Sequence, residues 1–308
     1  MSDSNPPAKP APSKAAVFVR RLFSFVVLWT IILSALFSGN QVISDYVFLF
    51  IMVLLAGAGL AEFYGMVEKK GLVSFKYCGI AGGVLLMVGT FYHLHGKLGL
   101  TNSPARVNDF ETSFLILFVL GLCLRQLVAR SNTAGILAIS TTLFGLMYIP
   151  WLLNFMQKIT YFQKMEGTEG QYYLLYFVLI TKFSDTGAYL VGSLIGRHKM
   201  IPRISPGKTW EGFGGAIVVS TAASVIFVHL AHAHMPAMNT VHAVILGSVL
   251  SVGAVVGDLI ESLFKREAGL KDSGHFFPGI GGILDLLDSL LFNAPLMYLY
   301  LRHVLHTG

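Results

Sequence analysis

The sequence is short of charge. Asp, Glu, Lys and Arg make up 12% of its 308 residues, against roughly 25% in a soluble domain, which excludes an ordinary water-covered globule. Cysteine is scarce as well. Cys78 and Cys123 both stand inside apolar runs, without the spacing of a metal site or a disulfide framework, and read as buried thiols. No basic run marks a nucleic-acid surface, because the net charge of +6 is scattered over short connecting segments. The N-terminal region does not have the pattern of a cleaved signal peptide. Its first apolar run is long enough to span a bilayer, starts at Arg20 and Arg21, and reads as a retained span.

What the sequence has in quantity is hydrocarbon. Hydrophobic residues account for 54% of the chain, and the mean hydropathy is +0.67. Residues 1–16 are Pro, Ala, Ser and Lys without periodicity, the composition of a disordered tail. Residues 17–308 read as a single membrane domain. Apolar runs predict nine spans, near 19–37, 42–61, 72–92, 111–129, 134–156, 171–195, 211–232, 240–260 and 287–304. Backbone groups in lipid must be satisfied within the chain, so the expected fold class is all-α, a polytopic transmembrane helical bundle. With these spans, 16 Lys and Arg fall on one side and 5 on the other, with Lys182 inside a span. The positive-inside rule then predicts a cytoplasmic N-terminus and puts the polar segments 196–210 and 261–286 on the same side.

Three segments carry residues that topology alone does not require. In Lys182–Lys199, Lys182 and Asp185 interrupt an apolar span. Such residues usually face a cavity or a partner, although a lysine and an aspartate one turn apart can also pair structurally. Gly187, Gly192 and Gly196 allow close helix approach. In Arg203–Gly215, Ser205, Lys208 and Thr209 precede a predicted helix N-terminus, a favourable place for phosphate. Gly207-Lys208-Thr209 resembles the end of a P-loop, but Pro202 stands where that motif needs its first glycine, and no strand is predicted before it. Glu211 falls in the first turn of that helix.

The third segment, Gly257–Ser289, is the richest. Asp258, Glu261, Ser262 and Lys265 recur at helical spacing on one face. Asp285 and Asp288 share a face of the next helix. Carboxylates arriving on two helices suit Mg²⁺, and Lys265, Arg266 and Lys271 suit phosphate. Pro278-Gly279 and Gly281-Gly282 predict a tight turn between the helices. His275 is the one histidine within this group, and His232 and His234 read as surface residues.

Together these segments resemble the phosphatidate cytidylyltransferase (CDP-diacylglycerol synthase) family. The resemblance rests on Ser262-Leu263-Phe264-Lys265-Arg266, Lys271-Asp272, Pro278-Gly279-Ile280-Gly281-Gly282 and Asp285-Leu286-Leu287-Asp288. Ser184–Tyr189 and Ser205–Gly212 add to it, so the likeness covers roughly 170–295, the expected catalytic half. Ile280 and Leu286 depart from the family's usual His and Arg. The resemblance implies transfer of a cytidylyl group from CTP to phosphatidic acid, with Mg²⁺ and room for a second cation. It implies Asp258, Asp285 and Asp288 at metal, with Asp272 as a further ligand. Ser184, Asp185, Ser205, Lys208, Thr209, Glu211 and Ser262 would bind substrate, and Lys265, Arg266 and Lys271 would act in catalysis. The expected setting is a bacterial inner membrane with the site facing the cytoplasm, and a homodimer is among the assemblies it allows. Two alternatives stand beside it, a CTP-dependent polyprenol or lipid kinase and a transporter using Lys182 and Asp185.

Overall fold

The computed structural model describes residues 29–30, 33–34, 36–37, 39–95, 104–128, 134–162, 169–270, 273–274 and 281–305. It is a polytopic bundle of helices. In chain order these are α1 (Gln41–Lys69), α2 (Lys76–His95), α3 (Pro104–Val128), α4 (Gly135–Leu146), α5 (Leu152–Thr160), α6 (Gly170–Ile195), α7 (Trp210–Leu230), α8 (Thr240–Glu267) and α9 (Ile283–Tyr300). Helices α4 and α5 are one span, joined by a π-helical turn at Met147–Trp151. Pro150 lies in that turn, where the missing amide hydrogen disturbs the regular ladder.

Among the described residues, eight helices are long and apolar enough to cross a membrane. They match the eight predicted spans from 42–61 onward. The predicted span at 19–37 and the tail at 1–16 lie wholly or mostly outside the described residues. The helices outrun the predicted spans at polar ends: α1 continues to Lys69, α8 continues to Glu267, and α9 begins at Ile283. Hydropathy marks where lipid stops, and a helix can continue into water.

Two expectations need correcting. The segment 196–210 is not irregular throughout, because β1 (Lys199–Ile201) and β2 (Ser205–Thr209) pair as an antiparallel hairpin. It forms because Lys199 to Thr209 can close a backbone ladder over a turn at 202–204, a local pairing that hydropathy does not register. Cys123 is exposed on the outside of α3, not buried, and Cys78 is half-buried. In a membrane bundle, an apolar run supplies the lipid-facing surface as well as the core.

The second half of the chain is joined by side-chain hydrogen bonds between helices, the usual adhesive where lipid weakens the hydrophobic drive. Ser220 donates toward Ile180 O and Gly247 O, both at 3.2 Å, linking α7 to α6 and α8. Asn293 of α9 donates to Leu250 O at 2.7 Å and Thr181 Oγ1 at 3.1 Å. Glycine allows the close approach. A Cβ at Gly187 would lie 2.8 Å from Gly215 O, so α6 and α7 meet backbone to backbone, as the glycine pattern predicted. At the opposite end from the hairpin, His234 hydrogen-bonds Glu169 at 2.7 Å and holds that carboxyl below its usual range.

Candidate active site

The α6–α7 connection meets the last turn of α8, where the α8–α9 connection begins, at one end of the bundle. Arg266 Nε donates to Ile204 O at 3.2 Å. Beneath them lies a cavity of about 510 Å³ between α6, α7, α8, α9 and the hairpin. Lys182 and Asp185 enter it from α6, Lys208 from β2, Asp258 from α8, and Asp285 and Asp288 from α9.

Local packing explains how the two carboxylate helices meet. Gly257 precedes Asp258, and a Cβ there would lie 2.6 Å from Asp288 O. Without that side chain, α8 and α9 can press together where both carry acid groups. One oxygen from each of Asp258, Glu261 and Asp288 lies within 4.8 Å of the others. Carboxylates so close repel unless protons or cations intervene. The Glu261 side chain is 2% exposed; Lys265 pairs with its Oε2, and Oε1 is left without a partner among the described residues. A buried acceptor left so is costly. Three carboxylates offering only oxygen suit a hard divalent cation, so the residues fit the Mg²⁺ that the resemblance implies.

The cations are arranged around this group. Lys208 Nζ lies 2.7 Å from Asp258 Oδ2 and donates to Val255 O at 3.1 Å. Lys182 lies 3.4 Å from Asp185 Oδ2 and donates across to Leu286 O at 3.1 Å. Behind the cavity wall, Lys265 joins Glu261 to Asp285, with 2.6 Å to Asp285 Oδ1. Asp285 Oδ2 accepts from Gly282 N at 2.8 Å and from Ser273 N at 3.2 Å.

Residues 19–304 match the sequence profile of the Cytidylyltransferase family. The chain belongs to that family. It is 45% identical over 134 residues to the phosphatidate cytidylyltransferase of Staphylococcus epidermidis RP62A, covering 44% of this chain and 50% of that protein. The corresponding enzyme of Staphylococcus aureus COL is 46% identical over 136 residues, again 44% of this chain and 50% of that protein. An uncharacterized protein of Escherichia coli K12, YnbB, is 36% identical over 162 residues, 53% of this chain and 51% of its own length. The chain therefore spans about half the length of the curated relatives it matches.

Not every residue singled out in this cytidylyltransferase family member borders the cavity. Asp185, Ser205, Lys208, Thr209, Asp258, Asp285 and Asp288 do. Thr209 also caps α7, its Oγ1 accepting from Gly212 N at 3.1 Å. Ser184 is turned into the helix packing and donates to Ser251 O at 3.3 Å. Glu211 closes the base of the hairpin, accepting from Arg197 N at 3.1 Å and contacting His198 Nδ1 at 2.6 Å. Ser262 donates to Asp258 Oδ1 at 3.3 Å. Lys265 stands behind the wall in its double ion pair, and Arg266 is exposed at the surface. Lys271, Asp272, His275 and Pro278–Ile280 lie outside the described residues.

Sequence reasoning left three contributors unassigned. Glu261 was visible on the Asp258 face at helical spacing, and only its closeness to Asp288 reveals it as a cation-ligand candidate. Lys182 was visible as a charge within a span, without its partners on α9. Glu62 of α1 had no signal at all. It accepts from Ile283 N at 2.9 Å, more than two hundred positions away.

Proposed function

We propose that the protein transfers the cytidylyl group of CTP to the phosphate of phosphatidic acid, giving CDP-diacylglycerol and diphosphate. The observation that carries this reading is the cavity itself. It joins a packed carboxylate group to lysines from two elements, Lys182 of α6 and Lys208 of β2, at the polar end of a membrane bundle. The names of the staphylococcal relatives supply the substrate class. In the reaction, a phosphate oxygen of the lipid attacks the α-phosphorus of CTP. The bond to the β-phosphate breaks, and diphosphate leaves with its electron pair.

Asp258, Glu261 and Asp288 would hold Mg²⁺. When bound, that ion neutralises charge on the phosphates as the leaving group forms. The chain's own residues align the two phosphates and offset the remaining charge. Lys208, on a hairpin above the carboxylates, is positioned to exchange Asp258 for a nucleotide phosphate. Lys182 offers an ammonium from the cavity wall. Lys265 offsets the negative charge of Glu261 and Asp285, which keeps the wall from repelling CTP.

Liposomes containing phosphatidic acid and labelled CTP test this directly. Label in the lipid from the α-phosphate is expected. Label from the γ-phosphate would instead mean a lipid kinase, and none would leave a transporter. The Lys and Arg distribution supports a cytoplasmic site, and the bacterial relatives support a bacterial membrane. Cysteines replacing Met200 and Leu270 should then both react with an impermeant thiol reagent only from the cytoplasmic side. Reaction of either from the other side would overturn that orientation.

A further inference from the structure

The helix that carries Asp285 and Asp288 is held at its start by a residue from the other half of the chain. Glu62, on α1, accepts from Ile283 N at 2.9 Å through Oε1 and from Leu284 N at 3.0 Å through Oε2. Those amides belong to the first turn of α9 and have no partner within the helix. The preceding amide, Gly282 N, donates to Asp285. Ser273 Oγ lies 3.1 Å from both Glu62 Oε2 and Asp285 Oδ2, joining the two carboxylates through one hydroxyl.

The surrounding backbone is shaped for this carboxylate. A Cβ at Gly274 or at Gly282 would collide with Glu62. Gly281 has φ +112°, a conformation open to glycine and strained for other residues. The chain approaching α9 thus lacks side chains at the places where Glu62 enters.

We propose that Glu62 is a positioning residue of the cytidylyl-transfer site, fixing the start and rotation of α9 and so the placement of Asp285 and Asp288. This rests on the reading given under Proposed function. The carboxylate is suited to the task because each of its oxygens takes one amide hydrogen. A glutamine there keeps one acceptor oxygen and turns an NH₂ group toward the second amide. One amide of the first turn is then left unpaired, and the helix start must shift to relieve it.

The test uses full-length protein purified in detergent, with Glu62→Gln, Glu62→Asp and, as a control, Glu68→Gln. Glu68 lies on the same helix and pairs with Lys76 at the surface. Three readouts are needed: Mn²⁺ binding by loss of the free-ion EPR signal, kcat and KM for CTP, and melting temperature. For Glu62→Gln, kcat should fall about tenfold or more and Mn²⁺ should bind several-fold more weakly, as one lost hydrogen bond at a charged group allows. KM for CTP should stay within about twofold of wild type, since CTP contacts no part of α1 in this account. Glu62→Asp retains both oxygens on a shorter stem and should recover part of the loss. Glu68→Gln should match wild type in all three.

A lower melting temperature with unchanged kcat and Mn²⁺ binding would make Glu62 a merely structural anchor and overturn the proposal. If Glu62→Gln does not fold, Glu62→Asp is decisive on the same measurements, and wild-type values there overturn it equally. Failure of the parent reading looks different. Wild-type protein would then transfer no α-label, while the Mn²⁺ measurement would still report whether Glu62 positions α9.

Discussion

The two ends of this bundle use the same residue types to opposite effect. Away from the hairpin, Lys158 of α5 and Glu111 of α3 pair at 2.6 Å with side chains only 4% and 5% exposed. Asn154 donates to Thr90 Oγ1 at 2.7 Å and to Glu111 Oε1 at 3.3 Å, and Gln157 donates to Asn154 Oδ1 at 3.0 Å. That network is balanced in charge, with one acid for one base, although Gln157 Oε1 is left without a partner among the described residues. At the hairpin end, three carboxylates crowd together and their lysines approach from the periphery. Charge balance serves packing, whereas an excess of one sign beside a cavity leaves binding capacity for something from outside.

The sharpest way to break the comparison is Asp288→Asn. The change is nearly isosteric and relieves repulsion within the acidic group, so the melting temperature should hold or rise. Turnover should fall by orders of magnitude if cation stabilisation is lost. A lower melting temperature with normal specific activity would make the two ends alike, both of them packing devices.

Lys158→Met should behave in the reverse manner. It leaves Glu111 buried without its base, an arrangement that costs about 3–5 kcal/mol. Melting should drop sharply while the folded remainder keeps its kcat. Adding Glu111→Leu should restore most of the lost stability, because an apolar pair of similar volume replaces the ions. No recovery in the double variant would mean that the network is more than a closed pair.

The smallest effect is expected at Lys208. Its replacement by Ala should lower kcat/KM by roughly ten- to a hundredfold, the loss of one charge-assisted phosphate contact of about 1.5–3 kcal/mol. The melting temperature should change little, because Lys208 reaches Asp258 from a surface hairpin. Unchanged kinetics would reduce Lys208 to a charge that orients the chain in the membrane.

The same contrast shows what the sequence makes legible. Local patterns carry over well. Asp285 and Asp288 do share the cavity face of α9, and Lys182 with Asp185 does mark a cavity wall. The helices from 42 onward follow hydropathy because lipid imposes one rule on every span. Pairings between distant segments have no such rule. Glu62 reads as an ordinary charge at a span's end, and nothing near it in the chain points to Ile283. Glu111 and Lys158, 47 positions apart, look like separate loop charges until helix packing brings them together. Ser184 was legible in type and not in direction, since a serine in an apolar helix can face a cavity or a neighbouring carbonyl equally well.

The depth of the cavity has a consequence for the membrane itself. Lys182, on its wall, lies thirteen residues before Ile195, about 20 Å along α6 from that helix's end. Water that follows a nucleotide to that depth has crossed much of a hydrocarbon layer about 30 Å thick. The insulation between the two aqueous phases is then carried by what remains below, the tightly packed far half of the bundle. Tyr176, Ser224 and Ala243 join α6, α7 and α8 in that half, with no accessible surface. A variant that loosened those contacts would be expected to show first in ion permeability.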